Sequence, residues 1–167
     1  NQACLDHVFE NKRASCLVNP RACYETEIII KPTATPKRIA VVGAGPAGLA
    51  AATTLGERGH RVTLFDGANE IGGQFNMAKK IPGKEEFHET IRYFTHRLSE
   101  TGVDVKLGTR VNAEQLAQSG FDEIIVATGI TPRKVRIDGI DSPKVLSYID
   151  VLAGNAEVGP RVAVIGA

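Results

Sequence analysis

Residues 38–66 read RIAVVGAGPAGLAAATTLGERGHRVTLFD, and their pattern decides the fold. Arg38–Val42 is an apolar, β-branched run stopped by Gly43, which suits a strand buried on both faces of a parallel sheet. A helix is expected from Pro46 to about Arg58. Pro46 stands in the first turn, where no N–H is required, and Gly59 stands where a left-handed cap belongs. RVTLFD at 61–66 supplies a second strand, so that strand, crossover helix and parallel strand form a right-handed βαβ unit. Gly43, Gly45 and Gly48 are spaced G-x-G-x-x-G between strand and helix, and Asp66 ends the next strand 23 residues after Gly43. In such a unit the first glycine makes the turn, the second admits a pyrophosphate to the backbone, and the third lets the helix pack closely. The helix start at Pro46 and Ala47 presents a positive dipole end to phosphates. Asp66 would accept hydrogen bonds from ribose hydroxyls and repel the extra phosphate of NADP, which favours FAD or NAD. A glycine-rich turn that only tightens a doubly wound sheet is the competing reading, and the strand context with Asp66 disfavours it.

Working outward, Phe87, Ile91, Phe94 and Leu98 fall on one face of a helix between Lys84 and Thr101. Short strands are expected at 103–107 and 123–127. Asn112 is placed to cap a brief helix ending before Gly120, and another brief helix begins at Ser147. RVAVI at 161–165 reads as a further buried strand, and with Gly166 it echoes IAVVGA at 39–44. The expected fold class is α/β: a Rossmann-like doubly wound parallel sheet binding FAD, with an irregular N-terminal cysteine-bearing segment. Residues 1–36 would be that segment and a linker, 37–160 the first part of the FAD domain, and 161–167 the first strand of a nicotinamide-nucleotide domain. Two nucleotide sites in one chain are how flavoproteins pass hydride from a nicotinamide to FAD.

Three further stretches bear on a ligand. In DGANEIGGQF at 66–75, the pair Gly72–Gly73 lets the chain lie against a flat or charged ligand, with Gln74 free to hydrogen-bond it; an ordinary turn is the alternative. Lys79, Lys80 and Lys84 flank Pro82 and Gly83 and offer charge to a pyrophosphate, or simply a solvated loop. Ala127, Thr128 and Gly129 follow a buried strand, and small residues at the carboxyl end of such a strand can approach a ligand in the sheet's crevice.

The 167 residues suffice for one domain with appendages. With 20 Lys and Arg against 19 Asp and Glu, the formal charge of +1 gives no large field of one sign, which disfavours nucleic acid and anionic membranes as partners. No apolar run approaches a membrane span and the N-terminal stretch lacks a signal-peptide core, so a cytoplasmic protein is expected. Cys4, Cys16 and Cys23 all lie near the N-terminus, and in that compartment clustered thiols point to a metal or redox site before a disulfide. Three cysteines do not close a four-thiolate iron–sulfur cluster. His7 would complete a zinc set, though without the usual short paired spacings, and plain thiols stay open as well. No Ser/His/Asp set or carboxylate pair stands out. The start without Met and the stop after VAVIGA suggest a piece of a longer protein.

Taken together, NQACLDHVFENKRASCLVNPRAC, VVGAGPAGLA, FDGANEIGGQFNMAKKIPGKEEF, IIVATGITPR and IDGIDSPKVLSYIDVL resemble the bacterial NADPH-dependent 2,4-dienoyl-CoA reductases, relatives of trimethylamine dehydrogenase. The first and third segments are particular to that group, whereas VVGAGPAG is common to many flavoproteins. The resemblance implies an old yellow enzyme-like barrel carrying FMN, then a four-cysteine 4Fe-4S segment, then an FAD domain with an NADPH domain inserted in it. Cys4 and Cys16 match the third and fourth cluster ligands, and Cys23 matches none. FAD contacts are carried onto Ala47, Asp66, Gln74, Lys84 and Val111. Electrons would pass from NADPH through FAD, cluster and FMN to a 2,4-dienoyl-CoA in unsaturated fatty acid β-oxidation. The partners implied are FAD and the remainder of the same chain, and none of the substrate-side residues falls within it. A sister enone reductase or amine dehydrogenase is the nearest alternative, and an ADP-binding module without redox work is the third.

Overall fold

A computed structural model of the chain describes residues 3–16, 19–133 and 135–166, with side chains from Leu5 onward. Four parallel strands, β1 (Arg38–Val42), β2 (Arg61–Phe65), β3 (Asp104–Lys106) and β4 (Glu123–Val126), form one sheet in the order β3-β2-β1-β4. The helices are α1 (Ala3–Phe9), α2 (Pro46–Glu57), α3 (Phe75–Ala78), α4 (Phe87–Glu100), α5 (Ala113–Gln118) and α6 (Tyr148–Ala153). From β1 the chain steps outward through α2 to β2 and through α4 to β3, then returns to place β4 on the other side of β1. The strand order therefore reverses between β1 and β4, and in open α/β sheets ligands bind outside the carboxyl ends of the strands at such a point.

Register explains why β1 is the buried centre. Ile39 lies opposite Val62 on one side and Glu123 on the other, and Val41 lies opposite Leu64 and Ile125. With side chains alternating between faces, Ile39, Val41, Val62 and Leu64 share one face, which is covered by Leu49 and Ala52 of α2 and Leu98 of α4. All seven are buried. Thr53 is buried among them with its hydroxyl donating to the Leu49 carbonyl at 2.8 Å, so its polar atom is satisfied. On α4 the stripe Phe87, Ile91, Phe94, Leu98 turns inward as its spacing requires. At its first end Phe87 meets Phe75 of α3, ring centroids 4.6 Å apart. The reverse face of the sheet is covered less, and Ile124 and Val126 of β4 are 42% and 72% exposed.

Local signals account for the ends of the elements. Asn112 and Gln115 make a reciprocal capping box on α5, Asn112 Oδ1 accepting the Gln115 N–H at 2.9 Å and Gln115 Oε1 the Asn112 N–H at 3.0 Å. Asn112→Ala is expected to cost about 1 kcal/mol, visible as a lower urea midpoint at unchanged slope. Ser147 caps α6 by accepting the Asp150 N–H.

The cysteine-bearing segment, expected to be irregular, opens on the short helix α1 and then runs in turns. An ion-pair chain fastens it to the domain. Arg21 Nη1 lies 3.6 Å from Glu57 of α2, whose other oxygen is 2.7 Å from Arg97 of α4. Residues 161–166, where a buried strand is expected, form none: Val162, Val164 and Ile165 are 61%, 87% and 74% exposed. A strand persists only where a neighbour takes up its N–H and C=O groups, and among the described residues nothing pairs with this one. No helix among the described residues is long and apolar enough to cross a membrane.

Candidate functional site

The turn after β1 is shaped by two close approaches. Gly43 has φ +109°, a conformation that side chains rarely adopt, and a Cβ on it would stand 2.3 Å from the Ala127 carbonyl oxygen. Gly48, one turn into α2, is packed so tightly that a Cβ would lie 1.8 Å from the Gly43 carbonyl oxygen. Helix, turn and β4 thus meet with no room for side chains, which is what brings the start of α2 to the sheet's switch point. Gly45 differs: a Cβ there would meet nothing within 4 Å, so the space against its backbone is open.

Around this opening the backbone is short of acceptors. The first rung of the α2 ladder is Leu49 N–H to Gly45 C=O at 2.9 Å, and Gly45 offers no side-chain cap. The N–H groups of Ala47 and Gly48 therefore lie ahead of the ladder at the positive end of a 12-residue helix. Gly72 N–H donates to the Ala44 carbonyl at 2.8 Å, which draws the 72–74 turn against the first one. Gly73 (φ +53°) is so near that a Cβ on it would be 2.9 Å from the Gly45 Cα.

Asp66, just past β2, holds this arrangement from the other side. Its Oδ2 accepts the Ala44 N–H at 2.6 Å and its Oδ1 the Ala68 N–H at 2.7 Å. A carboxylate offers about four acceptor positions, so two remain for hydroxyl donors. Asp66 lines a cavity of about 490 Å³ together with Gly43, Thr128, Val111, Thr109 and Arg110. That volume lies within the ordinary range for small-molecule sites. A second hollow of about 360 Å³, lined by Ile29, Ile30, Lys31, Thr54 and Arg58, shares no lining residue with the first.

Of the residues singled out from the sequence, Gly43, Asp66, Thr128 and Val111 share the cavity. Gly45, Pro46 and Ala47 form the helix start beside it. Ala127 packs its backbone on Gly43 as a wall. Gln74 is not among the lining residues; its Nε2 donates to the Ile130 carbonyl at 3.4 Å, and Gly129 directly precedes that acceptor. Lys84 stands apart in an exposed turn closed by its own N–H to the Ile81 carbonyl at 2.9 Å. The neighbouring Glu85 carboxyl is held below its ordinary range by its own backbone N–H and that of Gly83. Gly67, Ala68, Thr109 and Arg110 line the cavity without having been singled out; Gly67 directly after Asp66 and Arg110 directly before Val111 were the available signals.

The expected metal ligands are not assembled by the described residues. Cys16 is half-buried, with its Sγ accepting the Asn19 N–H at 3.4 Å, and Cys23 is exposed. The Cys4 side chain lies outside the described residues. Among those described, no three His, Cys, Asp or Glu residues are grouped to hold a metal ion. His7 Nδ1 is 3.2 Å from both the Arg13 carbonyl and the Ser15 hydroxyl.

A family model described as pyridine nucleotide-disulphide oxidoreductase matches residues 37–167, beginning one residue before β1. The chain belongs to this family. Similarity extends to proteins named as reductases and oxidases of unlike substrates. A metal reductase of Desulforamulus reducens is 37% identical over 170 residues, covering 99% of this chain and 25% of the relative. The structure of a 2-naphthoyl-CoA reductase in complex with 2-naphthoyl-CoA superposes with a TM-score of 0.89 at 35% identity, over 95% of this chain and 24% of the other. That of a 6-hydroxypseudooxynicotine amine oxidase from Pseudomonas geniculata does so at 0.80 and 30% identity, over 93% and 26%. The chain thus spans about a quarter of the length of the proteins it matches. In all three cases the match takes in at least part of the N-terminal segment 1–36 as well as the Rossmann-like sheet, since each covers more than 90% of the chain.

Proposed function

We propose that residues 37–160 bind FAD and that the chain is the electron-transfer segment of a longer oxidoreductase resembling the NADPH-dependent 2,4-dienoyl-CoA reductases. One observation carries the reading: the switch-point cavity is lined by the Gly43 turn and the Asp66 carboxylate, and two residues after Gly43 the backbone at Gly45 is open. These features fit an ADP moiety, since orphan N–H groups and a helix dipole face the phosphate position and spare carboxylate acceptors face the ribose. Bound FAD would supply a hydride acceptor able to release its electrons singly. In this proposal the Ala47 and Gly48 N–H groups hold the pyrophosphate, Asp66 orients the ribose, and the Val111 backbone faces the adenine. Gln74 ties the 72–74 turn to Ile130 and is available to the flavin side.

The iron–sulfur part of the resemblance is supported less. Cys4 and Cys16 supply two of four thiolates, so this chain's residues do not by themselves fit a 4Fe-4S cluster, and the proposal routes no electron through one. FMN and NADPH sites belong in this proposal to other parts of the chain, with residues 161–167 leading into the nicotinamide domain and the whole protein cytoplasmic. For the substrate, 2,4-dienoyl-CoA is favoured by the resemblance of residues 1–23 and 65–87. The likeness to a reductase whose own name carries a CoA thioester adds support.

The test is the cofactor itself. The purified protein should show flavin absorbance, and acid extraction should release FAD at about one per chain. ADP in the extract without flavin would mark a structural nucleotide module and overturn the proposal. With the intact enzyme, NADPH should bleach the flavin, and a 2,4-dienoyl-CoA should restore it.

A further inference from the structure

Past Asp66 the cavity is lined by Gly67, Ala68 and the loop residues Thr109, Arg110 and Val111. Its wall there is made of two backbone segments bound to each other: Thr109 N–H donates to the Asp66 carbonyl at 2.7 Å and Gly108 N–H to the Ala68 carbonyl at 2.8 Å. Against this wall lies Arg110. Its side chain passes over Gly67 so closely that a Cβ on Gly67 would stand 2.9 Å from Cγ, 3.2 Å from Nε and 3.5 Å from Cζ of Arg110. The glycine leaves room for the arginine stem and the flat guanidinium to lie along the backbone. Arg110 lines the cavity, is exposed on its outer side, and makes no hydrogen bond or ion pair with the described residues. An arginine held by packing alone, at the edge of a pocket, has its planar cation free for a ligand.

The order of groups from the start of α2, beside the cavity, to its lining residues says which part of the ligand Arg110 meets. Phosphate donors stand at Gly45 and α2, the ribose acceptor at Asp66, and Arg110 one residue further, over Gly67. We infer that Arg110 stacks its guanidinium on the adenine ring and thereby sets the affinity for the adenosine half of the nucleotide. This rests on the FAD reading above and adds a residue to it. The attraction is that of a cation over an aromatic face, and it places the positive charge at the base, where no phosphate competes for it.

Titration of the purified, flavin-stripped protein with FAD, and separately with ADP, tests the inference by calorimetry. Arg110→Ala should weaken FAD and ADP by the same factor, between about 3-fold and 30-fold, the span of cation–π contacts from exposed to desolvated. Because Arg110 is exposed and bonds to none of the described residues, the melting temperature of the apoprotein should not change. Arg110→Lys keeps the charge but not the plane, so it should remain weaker than wild type. If Arg110→Ala binds both ligands within twofold of wild type, or if Arg110→Lys fully restores affinity, adenine stacking is wrong while the FAD site stands. Wild-type protein that binds neither FAD nor ADP would instead remove the site itself.

Discussion

Gly48→Ala is expected to destabilise the protein by more than about 3 kcal/mol, above the usual cost of an added methyl in a packed region. The added Cβ would fall 1.8 Å from the Gly43 carbonyl oxygen and 3.0 Å from its carbon, and both obstacles are backbone. Neither can rotate away as a side chain would. Gly43 is itself pinned, its own side facing the Ala127 carbonyl at 2.3 Å from a Cβ position. Relief must come from moving α2 off β1, which opens the contacts of Leu49 and Ala52 with Val41 and Leu64. For a domain of this size each kcal/mol lowers the melting temperature by roughly 2–4 °C, so a fall of about 6–12 °C or more is expected. On the proposed reading FAD should be lost together with stability, since the same displacement takes the Ala47 and Gly48 N–H groups out of position. A wild-type melting temperature would show that the helix does not press on the strand at this point.

That contact also shows what could be read from the amino-acid order. The β-branched run before Gly43, the Pro46 start and the third glycine state directly that a helix must lie close on a strand, and Arg38–Val42 and Pro46–Glu57 form accordingly. The stripe Phe87, Ile91, Phe94, Leu98 and the Asn112 cap are equally local signals. Where legibility ended, pairing and long-range contact decided. RVAVI at 161–165 has the same character as RIAVV at 38–42, but β1 has β2 and β4 beside it and, among the described residues, the second run has no strand beside it. Composition records an appetite for pairing and not the presence of a partner. Helix α3 escaped because four residues are too few to show a period. Gly43 and Asp66, which line the cavity, are legible together because one βαβ unit carries them both. Arg110 and Thr109 reach the cavity only because the loop after β3 hydrogen-bonds to the loop after β2, a juxtaposition that no local pattern encodes. Val111 was indicated by resemblance alone, and Lys84, which the resemblance also carries, stands in an exposed turn outside the cavity.

Gly45→Val should separate binding from folding. Gly45 has φ −76° and ψ −179°, extended backbone that any residue adopts, and a Cβ on it meets nothing within 4 Å. The fold therefore imposes no glycine at this position. Exchanging glycine for valine at the N-cap of α2 costs roughly 1 kcal/mol or less, so a shift of the melting temperature by only a few degrees is expected. On the proposed FAD reading the open space is nevertheless where the pyrophosphate approaches the backbone, and two methyl groups there would displace it from the Ala47 and Gly48 N–H groups. Charged hydrogen bonds of this kind contribute about 1.5–3 kcal/mol each, and losing two of them predicts a fall in FAD and ADP affinity of at least about 100-fold. Calorimetric titration beside a thermal melt reads both quantities from one preparation. A stable variant with unchanged affinity would mean that the glycine is idle and that no phosphate lies against it. A stable variant that has lost both ligands would place the pyrophosphate at Gly45, because a position the fold leaves free can be restricted only by what binds there.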